Sequence, residues 1–541
     1  MKKIFTLLTA ILLTINAFAL DVWDGSSSPW TNGSGTSSDP YLIETAANLA
    51  YLAEKVNEGY QAQGQAVFKG VYFLMTDDLD LNNINWTPIG NVNMNMEGYY
   101  FAGIFEGWYH NIDHLKIQSS ADVCGLFGGL GGEWCGIIGN DDYGQIRHLS
   151  VTNGSITTTG SGAAGIVGGV SENGLVLQCS YSGTITVNNN GSYCGAGGIV
   201  AAAMGYARIE QCSFAGSINA NNNGGFTGAA GAGGIAGIAM DHASIKQCYN
   251  TGTVTADAFL LSVAAGIVAA TLEENSVEVY SCYNTGTVSG GTKGGIFGMI
   301  SPINPMKGEV SMEVDNCYYL NTCGGTTNYG TSKTSAEMQT EEFKNTIDEY
   351  FHVYVMDNGT NNGYPIHGLS DFRVLDATDI THNSANVSAD IHVGNNDVAV
   401  LKLVYYDIED GYINNMYTIE LDIVDHIDIT LEDLTPETEY GYHMQFEFAD
   451  GVTKADNPHY FFTGVDGVAE LSASNIQVYP NPTSDFIYIE NAEPQTITIY
   501  TLDGKLIKSI ETANVIDVRD LDEGLYLINI GGKVGKVIIE R

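Results

Sequence analysis

The sequence predicts a mostly β protein, a parallel β-helix followed by two smaller β-sandwich modules. Three observations carry this reading. Cys179, Cys212, Cys248, Cys282 and Cys317 recur at intervals of 33 to 36 residues, and their neighbours recur with them. Glycine is abundant, at 65 of 541 residues, and with Thr, Asn, Val and Ile it favours turns and strands over helices. From about Asp371 cysteine is gone and alternating strand patterns take over, as in VAVLKLVYY and YGYHMQFEF.

The chain opens on an export leader, residues 1–19. Lys2 and Lys3 precede a short apolar run, Ile4 to Ile15, and Ala17-Phe18-Ala19 is an A-x-A cleavage site. The run is too short for a stable membrane span, and no other stretch approaches the ~20 apolar residues that a span needs. The mature chain is expected to begin near Leu20, with no transmembrane segment. Lys plus Arg number 21 against 63 Asp plus Glu, for a net charge of −42. So acidic a surface repels phosphate backbones and anionic lipid, which argues against nucleic-acid binding.

The repeat occupies residues 124–370, with a capping segment and first coils in 20–123. Three residues before each cysteine stand Val176, Ile209, Ile245, Val279 and Val314; six after stand Ile185, Ile218, Val254 and Val288. Gly183, Gly216, Gly252 and Gly286 fall four after, until Asn321 breaks the pattern. An aromatic follows within two positions: Tyr181, Phe214, Tyr249, Tyr283, Tyr318. Upstream of each lies a second half-repeat of the form AGGIVG, centred on Ile166, Ile199, Ile235, Ile267 and Ile296. Two short strands per unit cannot bury their own apolar face, but stacked units can, which is the logic of a solenoid. The five cysteines are expected to form an internal ladder, as small buried hydrophobes. No CxxC or Cys/His cluster suggests a metal, and no cofactor is expected. Cys124–Cys135 and Cys317–Cys323, local pairs near the two ends, are the candidate disulfides.

These half-repeats, AGGIVG followed by QCYNTGTV, resemble the GLUG motif of bacterial surface proteins. The entry segment, GSGTSSDPYLIETAANLAYLAEKVN, and the exit segment, CYYLNTC to NNGYPI, fit the same architecture. One departure is FEGWYHNI, where Trp108 and Tyr109 replace small polar residues. Residues 371–465 resemble a fibronectin type III domain through LEDLTPETEYGYHMQFEF, in which Leu434, Pro436, Thr438 and Tyr440 match the loop pattern. Residues 466–541, with VYPNPTSDFIYIE, LDGKLI, DLDEGLYLINI and GKVIIER, resemble the C-terminal sorting domain of type IX secretion substrates. That resemblance implies a Bacteroidetes source, engagement of the secretion machinery, transport across the outer membrane, and release or attachment at the cell surface.

Thr45 to Asn57 reads as an amphipathic helix capping the solenoid, with Leu49, Leu52, Ala53 and Val56 on one face. Thr334-x-x-Glu337 is a capping box for a second short helix. Catalytic patterns are weak. His110-Asn-Ile-Asp-His114 alternates like a strand, which would hold the two histidines about 13 Å apart, too far to share zinc. Asp78-Leu-Asp80-Leu-Asn82 begins like a calcium loop but has Asn83 where glycine is needed and Ile89 where glutamate is needed. Asp407 to Asp410 is a similar acidic turn. A polysaccharide lyase needs clustered cations, yet Gly125 to Met306 contains only Arg147, Arg208, Lys246 and Lys293, at unrelated repeat positions. A hydrolase needs two carboxylates ~5–10 Å apart, for which Asp241, Glu273 and Glu274 are candidates. Trp108, Tyr109 and Trp134 are candidate contacts for a sugar or a host or matrix protein. The expectation is therefore a non-catalytic, adhesin-like binding protein, with a secreted carbohydrate-active enzyme or a structural stalk as alternatives.

Overall fold

The fold comes from a computed structural model that describes residues 21–539, apart from 132–143, 272–275, 301–311 and segments of six residues or fewer beyond residue 327. The expected export leader, Trp134, Cys135, Glu273 and Glu274 lie outside the described residues. The chain divides into two units after His367.

In the first unit each repeat winds through four short strands, where the sequence suggested two. The repeat around Cys179 runs through Leu175–Leu177, Ser180–Asn189, Tyr193–Gly197 and Val200–Ala203. Each strand pairs in parallel with its equivalent one coil on: Val176 with Ile209, Ile185 with Ile218, Ala196 with Ala232, Val200 with Ala236. Both half-repeats are broken by a corner. In the first, the residue before the cysteine adopts a left-handed backbone, with φ of 53° at Gln178, 54° at Gln211 and 54° at Gln247. Such a conformation is unfavourable for a side-chain-bearing residue. A ladder of amides offsets it, Gln178 Nε2 donating to Gln211 Oε1 at 2.6 Å and Gln211 Nε2 to Gln247 Oε1 at 3.0 Å.

The glycine-rich half breaks for a packing reason. Its two strands are buried on both faces, apart from the leading residues Tyr193 and Ala229. A Cβ on Gly168 would lie 2.5 Å from Val123 Cγ1, and one on Gly298 2.5 Å from Val263 Cγ1, so the outer faces of the two sheets touch through glycine. Those side chains tolerate no added volume without displacement.

The interior holds the five cysteines, all buried and free. The N–H groups of Cys212, Cys248 and Cys282 each donate to the sulfur of the cysteine in the next coil, at 3.4 Å. The Cys317–Cys323 disulfide is not formed. Cys317 points into this ladder and donates to Val279 O at 3.4 Å, while Cys323 Sγ accepts from Gly325 N at 3.3 Å, so the two thiols serve separate partners. Cys124 is likewise free, its thiol pushed up to about 12 by burial; its suggested partner Cys135 lies outside the described residues.

The recurrent aromatics prove to occupy two faces. Tyr181 and Phe214, two residues after their cysteines, point inward and stack at 6.3 Å. Tyr249 and Tyr283, one residue after, point outward and stack at 5.1 Å. In those coils the inward place falls to Asn250 and Asn284, both 0% exposed. Asn250 Nδ2 donates to Asn284 Oδ1 at 2.8 Å, and each side-chain oxygen accepts the N–H of the glycine two residues on, at 2.8 and 3.0 Å. Buried amides are tolerated only when bonded in this way. Each inward side chain rests on a glycine of the other half-repeat: Phe214 on Gly198, Asn250 on Gly234, Asn284 on Gly266.

Both ends are closed. The helix Ala46–Asn57 starts at Thr45, whose side chain accepts from Asn48 N, and buries Leu49, Leu52, Ala53 and Val56 against the first coils. At the other end Thr334 and Glu337 form the expected capping box before Ser335–Met338 and Glu341–Ile347. The chain then lays a hairpin, Tyr354–Val355 with Ile366–His367, over the outward tyrosines. Tyr354 Oη donates to Ser281 O at 3.1 Å, Asn361 Nδ2 donates to Tyr283 Oη at 2.9 Å, and His367 Nε2 donates to Gln247 O at 2.8 Å.

The His367 ring sits 4.7 Å from Tyr249 and 5.2 Å from Tyr354, and its burial lowers the imidazole pKa to about 4. Unfolded, the group titrates near 6.5, so between these values the open state binds the proton and the closed state does not. The hairpin's contribution to stability is complete above pH ~6.5 and falls by up to ~1.4 kcal/mol per pH unit as the medium is acidified towards 4. Amide exchange in 353–367 is expected to quicken by roughly tenfold per pH unit across that window, after correction for intrinsic exchange. His367→Gln should flatten the profile; an unchanged profile in that variant would exclude His367 as its origin.

The second unit begins with a β-sandwich. One sheet holds Asp371–Val374, Ala385–His392 and His426–Leu431; the other holds Tyr412–Leu421, Val398–Glu409, Glu439–Phe448 and the short strands Thr453–Ala455 and His459–Phe462. This is a fibronectin type III-like arrangement. Its core includes Val387, Leu401, Leu403, Met444 and Phe446. Tyr440, from the LTPETEY loop, accepts the Thr435 N–H at 2.9 Å and pins the loop to the strand, as a tyrosine corner does. The remaining strands, from Ala469–Glu470 to Lys533–Ile539, form sheets of three and five around an isoleucine-rich core that includes Ile487, Ile497, Ile516 and Ile528.

Candidate binding face

Trp108 and Tyr109 turn the corner after Glu106 with φ of 45° and 66°. Trp108 N donates to Glu106 Oε1 at 2.8 Å. Tyr109 stacks on His148 at 4.7 Å and donates to Gln178 Oε1 at 2.8 Å. Both are half-buried, and they fasten one corner of the solenoid to the next. Trp134 lies outside the described residues.

His110 and His114 do not converge. His110 Nδ1 lies 3.1 Å from Asp78, whereas His114 Nδ1 lies 2.9 Å from Asp80 and 3.3 Å from Asp113. Asp80 also accepts Asn82 N at 2.7 Å. Asp407 is closed on itself by Asn415 N at 2.7 Å and Asn415 Nδ2 at 3.0 Å. Among the described residues no group of three or more His, Cys, Asp and Glu could hold a metal ion. Asp241 lies near Glu172, and burial together with the Asp241 charge raises the Glu172 pKa. Beside them Tyr206 stacks on His242 at 4.7 Å.

The sequence reading missed a cleft of about 430 Å³ on the N-terminal coils, walled by Asn85, Thr87, Asn91, Asn93, Gln118 and Asp122. Trp86 backs it, donating to Leu126 O at 3.1 Å. Asn57 holds one rim, donating to Pro88 O at 2.9 Å and accepting Gly90 N at 3.0 Å. Asn85 Oδ1 accepts Gln118 N at 2.6 Å and ties the rim to the long sheet. Asp122 is the lone carboxylate of the lining and accepts Met94 N at 3.0 Å.

From this cleft an uncharged track runs along the long sheet. Gln118 is in register with Thr157, then Thr186, Asn219, Thr255 and Ser289. A parallel row holds Ser155, Thr184, Ser217 and Thr253, continued by Thr287, whose hydroxyl donates to Thr253 Oγ1 at 3.1 Å. Both rows point outward because they flank the buried Ile156, Ile185, Ile218, Val254 and Val288. Their groups repeat ~4.8 Å from coil to coil and ~6.6 Å along the strand. In the turns that follow Ser213–Asn222 and Thr253–Ala258 of this sheet, Phe226, 82% exposed, and Phe259, 69% exposed, meet at 4.8 Å. The signal was present in the sequence as T-I-T, S-I-N, T-V-T and T-V-S, spaced with the cysteines.

The architecture is that of a mostly β protein, a β-solenoid followed by smaller β-sheet modules. Residues 228–255 match the GLUG motif, and residues 477–540 match a secretion system C-terminal sorting domain. The chain is therefore a type IX secretion substrate, exported to the cell surface or secreted. No described helix is long and apolar enough to cross a membrane. A putative Gly-rich membrane protein of Evansella cellulosilytica is 30% identical over 175 residues, which are 30% of this chain and 16% of that protein. The sensor domain of the anti-sigma factor RsgI4 of Pseudobacteroides cellulosolvens is 18% identical, over 18% of this chain and 95% of that one, with a TM-score of 0.15. A two-domain fibronectin type III segment of chicken tenascin is 11% identical, over 31% of this chain and 97% of that one, also with a TM-score of 0.15. Likenesses this low carry no argument about function.

Proposed function

We propose that this is a non-catalytic, adhesin-like binding protein that holds a neutral glycan outside the cell. The uncharged row from Gln118 to Ser289, leading out of a polar cleft in a chain of net charge −42, supports the reading. Hydroxyl and amide groups bond sugar hydroxyls without a charge to desolvate, and exposed rings beside them add apolar contact. An acidic glycan would meet a repulsive field.

The test is a glycan and matrix-protein array probed with the purified full chain, in calcium and in chelator. Neutral glycans are expected to bind saturably and be recovered intact. Asn219→Asp, which places a carboxylate in the row, should weaken binding by about tenfold, the worth of one lost hydrogen bond of ~1.4 kcal/mol. Binding confined to proteins or acidic sugars would overturn the glycan assignment. A second reading, a secreted glycoside hydrolase, is favoured by the Glu172–Asp241 pair; shortened sugar products abolished by Glu172→Gln would establish it instead.

A further inference from the structure

The fibronectin type III module has an unprotected edge. The strand Tyr412–Leu421 ends its sheet, pairing with Val398–Glu409 on one side and with no described strand on the other. Every residue from Tyr412 to Thr418 is exposed, including Tyr412 at 78%, Ile413 at 54% and Met416 at 59%. Long apolar edges are usually blunted by Lys, Pro or a covering segment, because their free N–H and C=O groups recruit another strand. This strand has no Lys and no Pro, Glu420 is its one charged residue, and its one bulge, at Asn414, leaves Asn415 to Leu421 a regular edge.

Its occupant is indicated by charge. Residues 371–464 carry 19 acidic residues against Arg373, Lys402 and Lys454. An edge built for a basic partner would share that acidity, yet this strand is nearly free of it. Uncharged character is what a strand needs when the strand opposite carries the same sequence. Antiparallel pairing about a two-fold axis through Met416 sets Met416 against Met416 and Asn415 against Tyr417 of the second copy, within the regular part of the strand, and leaves Glu420 opposite no acidic residue. No carboxylate then faces another, and opposite side chains share a face, as an antiparallel pair requires.

We propose that two copies of this protein associate edge to edge through Tyr412–Leu421, joining two modules into one continuous sheet. The interface is isologous, as two-fold pairs are. A surface-displayed protein dimerised here would present two solenoids to a repeating ligand and gain avidity without any new contact to it.

Sedimentation of the full chain over micromolar to tens-of-micromolar concentrations tests the proposal. The wild type is expected to approach twice the monomer mass, and Met416→Lys to weaken the dimer by at least about tenfold through the like charges it brings together. Unchanged circular dichroism would show that the exposed substitution leaves the fold intact. Met416→Cys gives an independent readout, because the two-fold places it beside its own copy: mild oxidation should yield a covalent dimer, and Ile423→Cys should not. A wild type that stays monomeric, a Met416→Lys chain that still dimerises, or equal cross-linking at both cysteines would each overturn it.

Discussion

Gly234→Ala is expected to cost about 3 kcal/mol or more of stability, at or above the upper end of the usual penalty for overpacking a core. A Cβ there would lie 2.1 Å from the Gly266 carbonyl oxygen and 2.6 Å from Asn250 Cγ. Neither neighbour can move freely. The carbonyl belongs to the next coil's backbone, and the Asn250 amide is fixed by Asn284 and Gly252. Relief would require separating two coils, and in a solenoid each coil is held only by its neighbours, so the loss spreads to both sides. The matched control is Gly225→Ala, where the added methyl meets nothing within 4 Å and the φ of +63° is the only penalty. That substitution should cost ~1 kcal/mol, the price of a side chain in left-handed backbone. Urea unfolding of both variants measures the difference. Equal midpoints would show that the corner yields by local adjustment and that the glycine column is not what sets the coil spacing.

The glycine column marks where sequence reasoning stopped. The period, the cysteine ladder, the apolar columns and the Thr334 capping box were legible, because each is written as a fixed spacing of residue types along the chain. The four-sided winding was not. It depends on Gln178, Gln211 and Gln247 accepting left-handed backbone, which the amide ladder between coils makes tolerable. Nor could the sequence separate Tyr181 from Tyr249, since a shift of one residue after the cysteine sends the ring to the opposite face. The suggested Cys317–Cys323 bridge failed for a related reason: proximity in sequence says nothing about which thiol the ladder claims. The cleft at Asn85 to Asp122 is assembled from two loops and a strand edge, and no local pattern announces it. The polar track, by contrast, was written at fixed offsets from Cys179, Cys212, Cys248 and Cys282 and needed only the register to become a row.

Removal of residues 466–541 is expected to hold the protein inside the outer membrane, with at least about tenfold less on the surface or in the medium and a matching rise in the periplasm. The matched sorting domain lies wholly within this segment, at 477–540. The segment also has what a separable signal needs, a core of its own built from Ile487, Ile489, Ile497, Ile499, Ile516, Ile528 and Ile530. A folded module can be recognised as a surface, whereas a linear tag would tolerate loss of that core. Ile528→Asp distinguishes the two. It is 0% exposed, and an uncompensated carboxylate there would cost several kcal/mol, enough to unfold so small a module. If the machinery reads the folded sandwich, Ile528→Asp should fail to leave the periplasm as completely as the deletion does, while the solenoid's unfolding midpoint stays unchanged. If it reads only a stretch of sequence, Ile528→Asp should be exported normally. Fusing 466–541 to an unrelated periplasmic protein completes the case: its appearance outside the cell would show that the module suffices, and its retention would mean that export also depends on the solenoid or on the fibronectin type III domain.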